Sequence, residues 1–308
     1  MERLKWLDHL PAGLRLRRLL ATIWAELTFA QSCAPGHFYS PIPSRKEVVN
    51  DRQRIFRADF AALPEIELRE AAQLQLLSRL GKRSKSAHLP ERPAAPKRFY
   101  MENDYFFAMD AIVFAGMLLE NRPGRYVEIG SGFSSALALD MKDEFFVEKL
   151  TCTFIEPDTN RLQSLLHATD KGKVTIYERR VQETPDHIFQ ELDKNDILFV
   201  DGSHVSKVGS DLNDVVFRVL PLLKEGVLIH FHDIYWPFEY AETDVLHGRS
   251  WNEAYLLRAY LSNNAKYRIE LFPSWLEKNH ALEWQNAFPG VEKHQASSLW
   301  LRKASSEA

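Results

Sequence analysis

Cysteine is scarce in this sequence of 308 residues, which contains only Cys33 and Cys152. The two lie far apart without metal-ligand spacing, so the sequence excludes a disulfide scaffold and predicts a reducing, cytoplasmic location. No apolar run reaches the roughly 18–20 residues that cross a bilayer, so no transmembrane segment is expected. An excess of charge of one sign is also lacking. A net charge of −3 and an isoelectric point near 6.4 predict no nucleic-acid partner.

The pattern of the sequence changes near residue 98. We expect 1–98 to form a helical N-terminal extension ending in a basic, proline-rich linker, and 99–308 to form the main domain. Within the extension, apolar spacing predicts an amphipathic helix over 19–30 and another over 68–80. The charge run of the linker, 82–98, is interpreted as solvated surface.

The most informative stretch is a glycine turn between a short apolar strand and a helix. The strand, 126–129, leads through Gly130, Ser131 and Gly132 into a helix that begins at residue 133. This arrangement brings the backbone close to a ligand and directs free N–H groups at it. Glu128 would repel a pyrophosphate but suits a ligand with a cationic end, which favours S-adenosylmethionine (SAM). Taken alone, the glycine pattern is more typical of a tight turn without ligand.

A second acid strengthens the interpretation of this turn as a cofactor site. Residues 151–155 predict the next strand, and Glu156 follows at its tip, where an acid commonly binds ribose hydroxyls. We expect Glu128 and Glu156 to face one cavity. Gln182 follows the third predicted strand, where its amide would bond the adenine edge; an ordinary loop glutamine is the alternative.

Short apolar runs alternate with helical segments through the main domain. This alternation predicts an α/β fold with a Rossmann-like, seven-stranded, mainly parallel sheet, helices on both faces and a late antiparallel strand. The predicted strands are 125–129, 151–155, 173–177, 196–200, 226–231, 266–271 and 298–302.

Acids and histidines follow the fourth and fifth predicted strands. Asp201 and His204 come after one, His232 and Asp233 at the end of the other. Parallel strands place their carboxyl ends at one edge of the sheet, so these four side chains are expected close together. Asp201 is also expected to contact the cofactor.

This group allows two kinds of chemistry. In one, Asp201, His232 and Asp233 bind a divalent metal such as magnesium, which gathers a substrate hydroxyl and eases its ionisation. In the other, His204 or His232 is the general base and no metal takes part. Two acids at neighbouring strand ends repel each other unless a cation lies between them.

An aromatic-rich segment follows Asp233. We interpret it as a lid over the substrate, with a small satellite core as the alternative. Its members are Trp236, Pro237, Phe238, Tyr240, Trp251 and Tyr255.

Four stretches of the sequence resemble a family of class I SAM-dependent methyltransferases, methyltransferase domain family 24. They are EIGSGFSS, FIEPD, DILFVDGSHVSKVGSDLNDVVFRVLPLLKEGVLIHFHDIYWPFEY and WNEAYLLRAYL. The resemblance implies a seven-stranded Rossmann-like fold, SAM as methyl donor, and cofactor contacts at Glu128, Gly130, Gly132 and Glu156.

More distantly, the sequence is similar to the macrocin-type sugar O-methyltransferases and the cephalosporin-hydroxylase-like proteins. In those, acids after strands four and five bind magnesium. Asp201 and Asp233 match two such positions, whereas His232 stands where an acid is usual and favours another metal or none. The resemblance implies O-methylation of a small-molecule or sugar hydroxyl.

Two further functions remain open at this point. One is an NAD(P)-dependent oxidoreductase that uses the same glycine turn, against which Glu128 and the serine at position 135 argue. The other is a non-catalytic, Rossmann-like interaction protein, which would have its ligand cavity blocked by side chains. The sequence leaves the oligomeric state open, a homo-oligomer included.

Overall fold

The structure is a computed structural model that describes residues 20, 23, 33–57, 59–291 and 296–304. The chain divides into two compact units. The smaller consists of Met1–Arg57 and Glu242–Ser250, and the larger of Ala58–Ala241 and Trp251–Ala308. Among the described residues, no helix is both long and apolar enough to span a bilayer.

Helices and strands alternate through the larger unit. Its strands are β1 Arg125–Ile129, β2 Thr151–Ile155, β3 Thr175–Tyr177, β4 Ile197–Val200, β5 Leu228–His232, β6 Tyr267–Leu271 and β7 Ser298–Lys303. The described α-helices of both units are α1 Arg45–Asn50, α2 Arg52–Ile55, α3 Glu70–Arg83, α4 Ala108–Asn121, α5 Phe133–Met141, α6 Asn160–Leu165, α7 His187–Gln190, α8 Asp211–Asp214, α9 Leu220–Leu222, α10 Glu242–Leu246, α11 Glu253–Leu261, α12 Pro273–Asn279 and α13 Ala281–Ala287.

The seven strands form one sheet in the order β3-β2-β1-β4-β5-β7-β6. The first five strands pair in parallel, and β7 runs antiparallel to both of its neighbours. The predicted fold class is therefore confirmed, including the late antiparallel strand. Since β1 lies between β2 and β4, their carboxyl ends meet beside the glycine turn, which brings Glu156 and Asp201 to one edge of the sheet.

The core lies on both faces of this sheet. Every residue of β4 is buried, as expected of a central parallel strand covered on two sides. Helix α4 packs against one face through Phe114, whose ring lies near those of Tyr126, Phe199 and Trp300. Burial of this aromatic layer fixes the strands whose tips form the site.

The beginning of the larger unit differs from the expected boundary at residue 98. Helix α3, which overlaps the predicted helix over 68–80, packs on α4 and β6 through a buried face that includes Leu76, Leu77 and Leu80. It therefore belongs to the unit with the sheet. The predicted helix over 19–30 lies almost wholly outside the described residues.

Arg98 is the exception to the interpretation of the basic linker as solvated surface, since Lys82, Arg83, Lys85 and Arg92 are exposed. Its side chain is only 3% exposed and forms ion pairs with two buried carboxylates, Asp140 at 2.9 Å and Asp170 at 2.5 Å. Asp140 also accepts hydrogen bonds from the backbone N–H groups of Arg98 and Phe99. Arg98, the last residue of the charge run, thus attaches the preceding segment to α5 through its ion pair with Asp140. Its charge is compensated inside the protein.

Candidate active site

The glycine turn is held between two strand tips. Gly130 donates its N–H to the carbonyl of Ile155 at 3.0 Å, and Asp201 donates to Ile129 at 2.8 Å. Gly130 has a φ of +84°, and a Cβ at this position would lie 1.7 Å from the carbonyl oxygen of Asp201. Only glycine fits, because the main chains of β1 and β4 approach too closely for a side chain.

Glu156 joins the tip of β2 to this turn. One carboxylate oxygen accepts a hydrogen bond from Ser131 N at 2.9 Å, and the other accepts from Asp158 N at 2.8 Å. The side chain is partly exposed and lines two adjoining cavities. Each oxygen keeps a lone pair for a further donor, as binding of ribose hydroxyls requires.

The two cavities share Gly130, Glu156, Asp201 and Gly202. The larger has a volume of about 430 Å³ and extends towards Gln182. The smaller, of about 170 Å³, is lined by all three residues of the glycine turn together with Tyr105 and Arg161. The predicted turn residues thus lie at an open cavity, whereas a non-catalytic relic would have a blocked one.

Glu128 does not lie where the sequence analysis expected it. Its side chain is fully buried beneath the turn and accepts hydrogen bonds from the hydroxyls of Ser134 and Ser135. Burial raises the pKa of Glu128 to about 8, although the two serine hydroxyls oppose this shift. Glu128 therefore supports the start of α5 and does not line either cavity; the acids that line both cavities are Glu156 and Asp201.

Gln182 lies at the larger cavity, as its place after β3 suggested. Its Nε2 donates to the carbonyl of Gly209 at 2.8 Å, which fixes the orientation of the amide. Its Oε1 is buried and has no hydrogen-bond partner among the described residues. A buried, unpaired amide oxygen at a cavity is an acceptor for a ligand N–H.

The four side chains predicted at the strand ends do come together. His204 Nε2 lies 3.4 Å from Asp201 Oδ1 and 3.7 Å from Asp233 Oδ2. His232 Nε2 lies 4.0 Å from Asp233 Oδ1. His204 and Asp233 adopt φ values of +58° and +54°, a left-handed conformation that side chains other than glycine rarely take. Such backbone strain is concentrated at functional sites.

Glu253, at the start of α11, is a further member of this cluster that the sequence analysis missed. Its Oε2 lies 2.7 Å from His204 Nδ1, and both side chains are buried, at 3% and 8% exposure. Burial alone would lower the pKa of His204, but Asp201 and Glu253 outweigh it and raise that pKa to about 11. This raised pKa favours the imidazolium form of His204 at neutral pH, which argues against a role as general base. The signal in the sequence that could have revealed Glu253 is the acid at the start of the predicted helix WNEAYLLRAYL.

His232 is more deeply buried than Asp201, His204 and Asp233. Its ring is buried against Phe106, and its Nδ1 has no hydrogen-bond partner in the described part of the chain. Burial would lower the pKa of His232, but Asp201, Asp233 and Asp110 raise it. Asp110, a buried residue of α4 that is bound to Ser297, was not predicted as part of this neighbourhood.

The predicted metal ligands do not form a binding site in this arrangement. Within the ranges that the structure describes, no group of three or more His, Cys, Asp or Glu side chains has the geometry to hold a metal ion. As placed here, Asp201, His232 and Asp233 therefore do not fit a magnesium site.

The aromatic segment is mostly core and not a lid. Trp236, Phe238 and Tyr240 are buried, and the first two pack on Phe272. Tyr255 is exposed, and Trp251 is half-buried beside the cluster, with its ring centroid 4.5 Å from that of His204.

Comparison with known proteins finds a match to a methyltransferase domain. Residues 127–234 match a family model described as "Methyltransferase domain". A protein from Archaeoglobus fulgidus, described as uncharacterized, is 39% identical over 127 residues. That match covers 40% of this chain and 57% of the relative, so the chain spans little more than half the length of the curated relative that it matches.

Two solved structures are similar at low identity. The SAH-bound methyltransferase PaMTH1 from Podospora anserina is 13% identical, with 86% of this chain and 99% of that one covered and a TM-score of 0.42. The O-methyltransferase TomG from Streptomyces achromogenes, involved in tomaymycin synthesis and in complex with SAM, is 13% identical, with 75% and 90% covered and a TM-score of 0.39. At these values neither bears on the substrate of this chain.

The family match spans the glycine turn, Glu156, Gln182 and both strand ends that carry the acid and histidine cluster. It favours a methyltransferase over the oxidoreductase that the glycine turn alone left open. Residues 127–234 match the model of a methyltransferase domain and lie on a seven-stranded Rossmann-like sheet, in agreement with the resemblance to the class I SAM-dependent methyltransferases.

Proposed function

We propose that the protein transfers a methyl group from SAM to a hydroxyl oxygen of a small molecule or sugar. The observation that carries this proposal is the position of Asp201. This residue lines both cavities beside Gly130 and Glu156, and it also lies 3.4 Å from His204 in the acid and histidine cluster. A cofactor in these cavities therefore has its reactive end next to groups that can bind and deprotonate a hydroxyl.

The cavity residues offer a partner for each part of SAM. Glu156 accepts from the ribose hydroxyls, and Gln182 Oε1 accepts from the adenine amino group. Asp201 supplies negative charge near the sulfonium, the role that the sequence analysis gave to Glu128. Arg161 lines the smaller cavity above the Tyr105 ring, at 3.8 Å from its centroid, and suits the methionine carboxylate.

The reaction itself is an in-line displacement. The acceptor oxygen attacks the methyl carbon, the C–S bond breaks, and S-adenosylhomocysteine (SAH) leaves as a neutral thioether. The hydroxyl proton passes to Asp233, whose carboxylate is 23% exposed and reaches the edge of the sheet. His204 is already protonated, so it stabilises the charge of the carboxylates and does not accept this proton.

The acceptor would bind beside Trp251, whose ring centroid lies 4.5 Å from that of His204. An indole ring next to carboxylates suits a ligand with an apolar face and several hydroxyls, since the ring packs on the face while the carboxylates accept from the hydroxyls. A sugar or a hydroxylated aromatic compound has this chemistry.

Binding of SAH tests the proposal. We expect saturating SAH to raise the melting temperature by a few degrees, as ligand at about 100 times its dissociation constant contributes about 2.7 kcal/mol. Glu156→Ala removes the ribose partner and should weaken binding by about 10- to 100-fold. Glu191→Ala, at an exposed carboxylate outside the cavities, is the matched control. The absence of a shift with the wild-type chain, or equal shifts for both variants, would contradict the proposal.

A further inference from the structure

We infer that Tyr105 positions Arg161 at the smaller cavity and thereby makes the cofactor site selective for nucleosides that carry a carboxylate. Asn103 in turn holds Tyr105 in place. The inference rests on the proposed function and deepens it, because it concerns how the amino-acid end of the cofactor is recognised. Tyr105 is a positioning residue that acts through Arg161.

The charge of Arg161 is available to a ligand. Among the described residues that line the smaller cavity, Arg161 is the one basic side chain, and the acids are Glu156 and Asp201. Within the described ranges, its guanidinium forms no ion pair with a protein carboxylate. An arginine binds a carboxylate through two parallel hydrogen bonds. SAM and SAH carry such a carboxylate at their amino-acid end.

Two main-chain N–H groups of the glycine turn are already used within the protein, although free N–H groups were expected here from the sequence. Ser131 N donates to the Glu156 carboxylate at 2.9 Å. Gly132 N donates to Ser135 Oγ at 3.0 Å. Arg161 lies directly beside this turn, since a Cβ on Gly132 would lie 3.1 Å from Arg161 Cδ. We therefore assign the ligand carboxylate to Arg161.

Tyr105 gives the Arg161 guanidinium a fixed surface. The Cζ atom of Arg161 lies 3.8 Å from the centroid of the Tyr105 ring, which is a cation–π contact. The ring itself stacks on Phe133, with centroids 5.7 Å apart and 14° between the planes. Arg161 is exposed, so its side chain would otherwise lose rotamer freedom when it binds a ligand. The ring face reduces that cost because it holds the guanidinium beside the cavity before the ligand binds.

Asn103 fixes the segment that carries Tyr105. Asn103 is 9% exposed, and its amide uses both donors and both acceptor positions. Its Oδ1 accepts from the backbone N–H groups of Tyr105 and Phe106 at 2.9 and 2.7 Å. Its Nδ2 donates to the carbonyls of Tyr100 and Phe106 at 2.8 and 2.9 Å. The main chain around Tyr105 is therefore bound to one buried amide, which fixes the place from which the ring extends.

Calorimetric titration of the full-length chain with two nucleosides tests the inference. SAH carries the carboxylate, and its decarboxylated analogue lacks only that group. We expect the wild-type chain to prefer SAH by at least about tenfold, and Arg161→Gln to lose this preference. Tyr105→Leu should reduce the preference about two- to fivefold, whereas Tyr105→Phe keeps the ring face and should retain it. Tyr39→Leu is the matched control, because Tyr39 is also exposed but lines neither cavity.

The ratio of the two affinities separates positioning from a general structural role. Damage to the adenosine part of the site weakens both ligands equally and leaves the ratio unchanged, whereas displacement of Arg161 weakens SAH alone. An unchanged ratio in Tyr105→Leu would overturn the positioning role, and so would an equal loss of preference in Tyr105→Phe. Asn103→Ala should lower the ratio as Tyr105→Leu does; the wild-type ratio in a folded Asn103→Ala chain would overturn the role of Asn103.

These outcomes are separable from the proposed function. A wild-type chain that binds neither nucleoside contradicts the methyltransferase proposal and the inference with it. A wild-type chain that binds SAH and its decarboxylated analogue with equal affinity contradicts the inference alone, because the adenosine and sulfur parts are then recognised without the carboxylate.

Discussion

The main-chain carbonyl oxygen of Asp201 lies 1.7 Å from the place where a Cβ on Gly130 would stand. Gly130→Ala must therefore separate β1 from β4 at the cofactor edge, and we expect lower stability together with loss of SAH binding. Gly172→Ala is the matched control, because Gly172 has a similar φ of +81° but no atom within 4 Å of its Cβ position. Adopting the left-handed conformation costs each alanine about 1–2 kcal/mol. Urea denaturation should show a clearly larger loss for Gly130→Ala; equal losses would contradict the close approach.

The ion pairs of Arg98 predict a second matched comparison. Asp140→Asn keeps the shape of the side chain but removes a buried charge that faces the guanidinium, so the free energy of unfolding should fall by about 3 kcal/mol. Glu102→Gln breaks the exposed pair with Arg92 and should change it by less than about 1 kcal/mol. Urea denaturation of both variants measures the difference. Similar values for the two would show that the Arg98 cluster is not buried in solution.

Glu128 predicts a pH dependence of stability. Burial raises its pKa to about 8 in the folded chain, above the ordinary value of 4.5, so the folded state binds the proton more tightly than the unfolded state. The stability linked to this proton is present below pH 4.5 and is lost as the pH rises towards 8. Relative to Glu128→Gln, the wild-type chain should lose up to roughly 1.4 kcal/mol per pH unit between about pH 5 and 7. If stability depended on pH in the same way in the wild-type chain and in Glu128→Gln, the Glu128 side chain would be in contact with solvent.

Gln182 predicts discrimination at the adenine edge. Its unpaired Oε1 accepts from an amino group, so the wild-type chain should bind SAH more tightly than the inosine analogue, in which a carbonyl replaces the amino group. We expect a preference of about tenfold, which Gln182→Leu should remove. Calorimetric titration with both ligands measures this ratio. A preference that persists in Gln182→Leu would assign adenine recognition to other residues.

The sequence predicted the architecture well because its strands are short apolar runs bounded by turns. The bounds of β1 and β2 agree with the prediction at both ends, and the other strands shift by one or two residues. Periodicity and local charge could not reveal that α3 and Arg98 are buried, because their burial depends on tertiary partners.

The sequence predicted which residues form the candidate site better than it predicted how their side chains are placed. The strand-end rule brought Asp201, His204, His232 and Asp233 together correctly. It could not show that Glu128 faces the interior, since that depends on the two serines of α5. It also missed Glu253, which reaches His204 from a helix about fifty residues later in the chain.

The central claim is that the cavities beside Gly130 and Glu156 bind a sulfonium nucleoside cofactor. Parallel calorimetric titrations of the wild-type chain with SAH and with NAD test this claim most directly. We predict saturable binding of one SAH per chain and no binding of NAD. Binding of NAD without binding of SAH would contradict it.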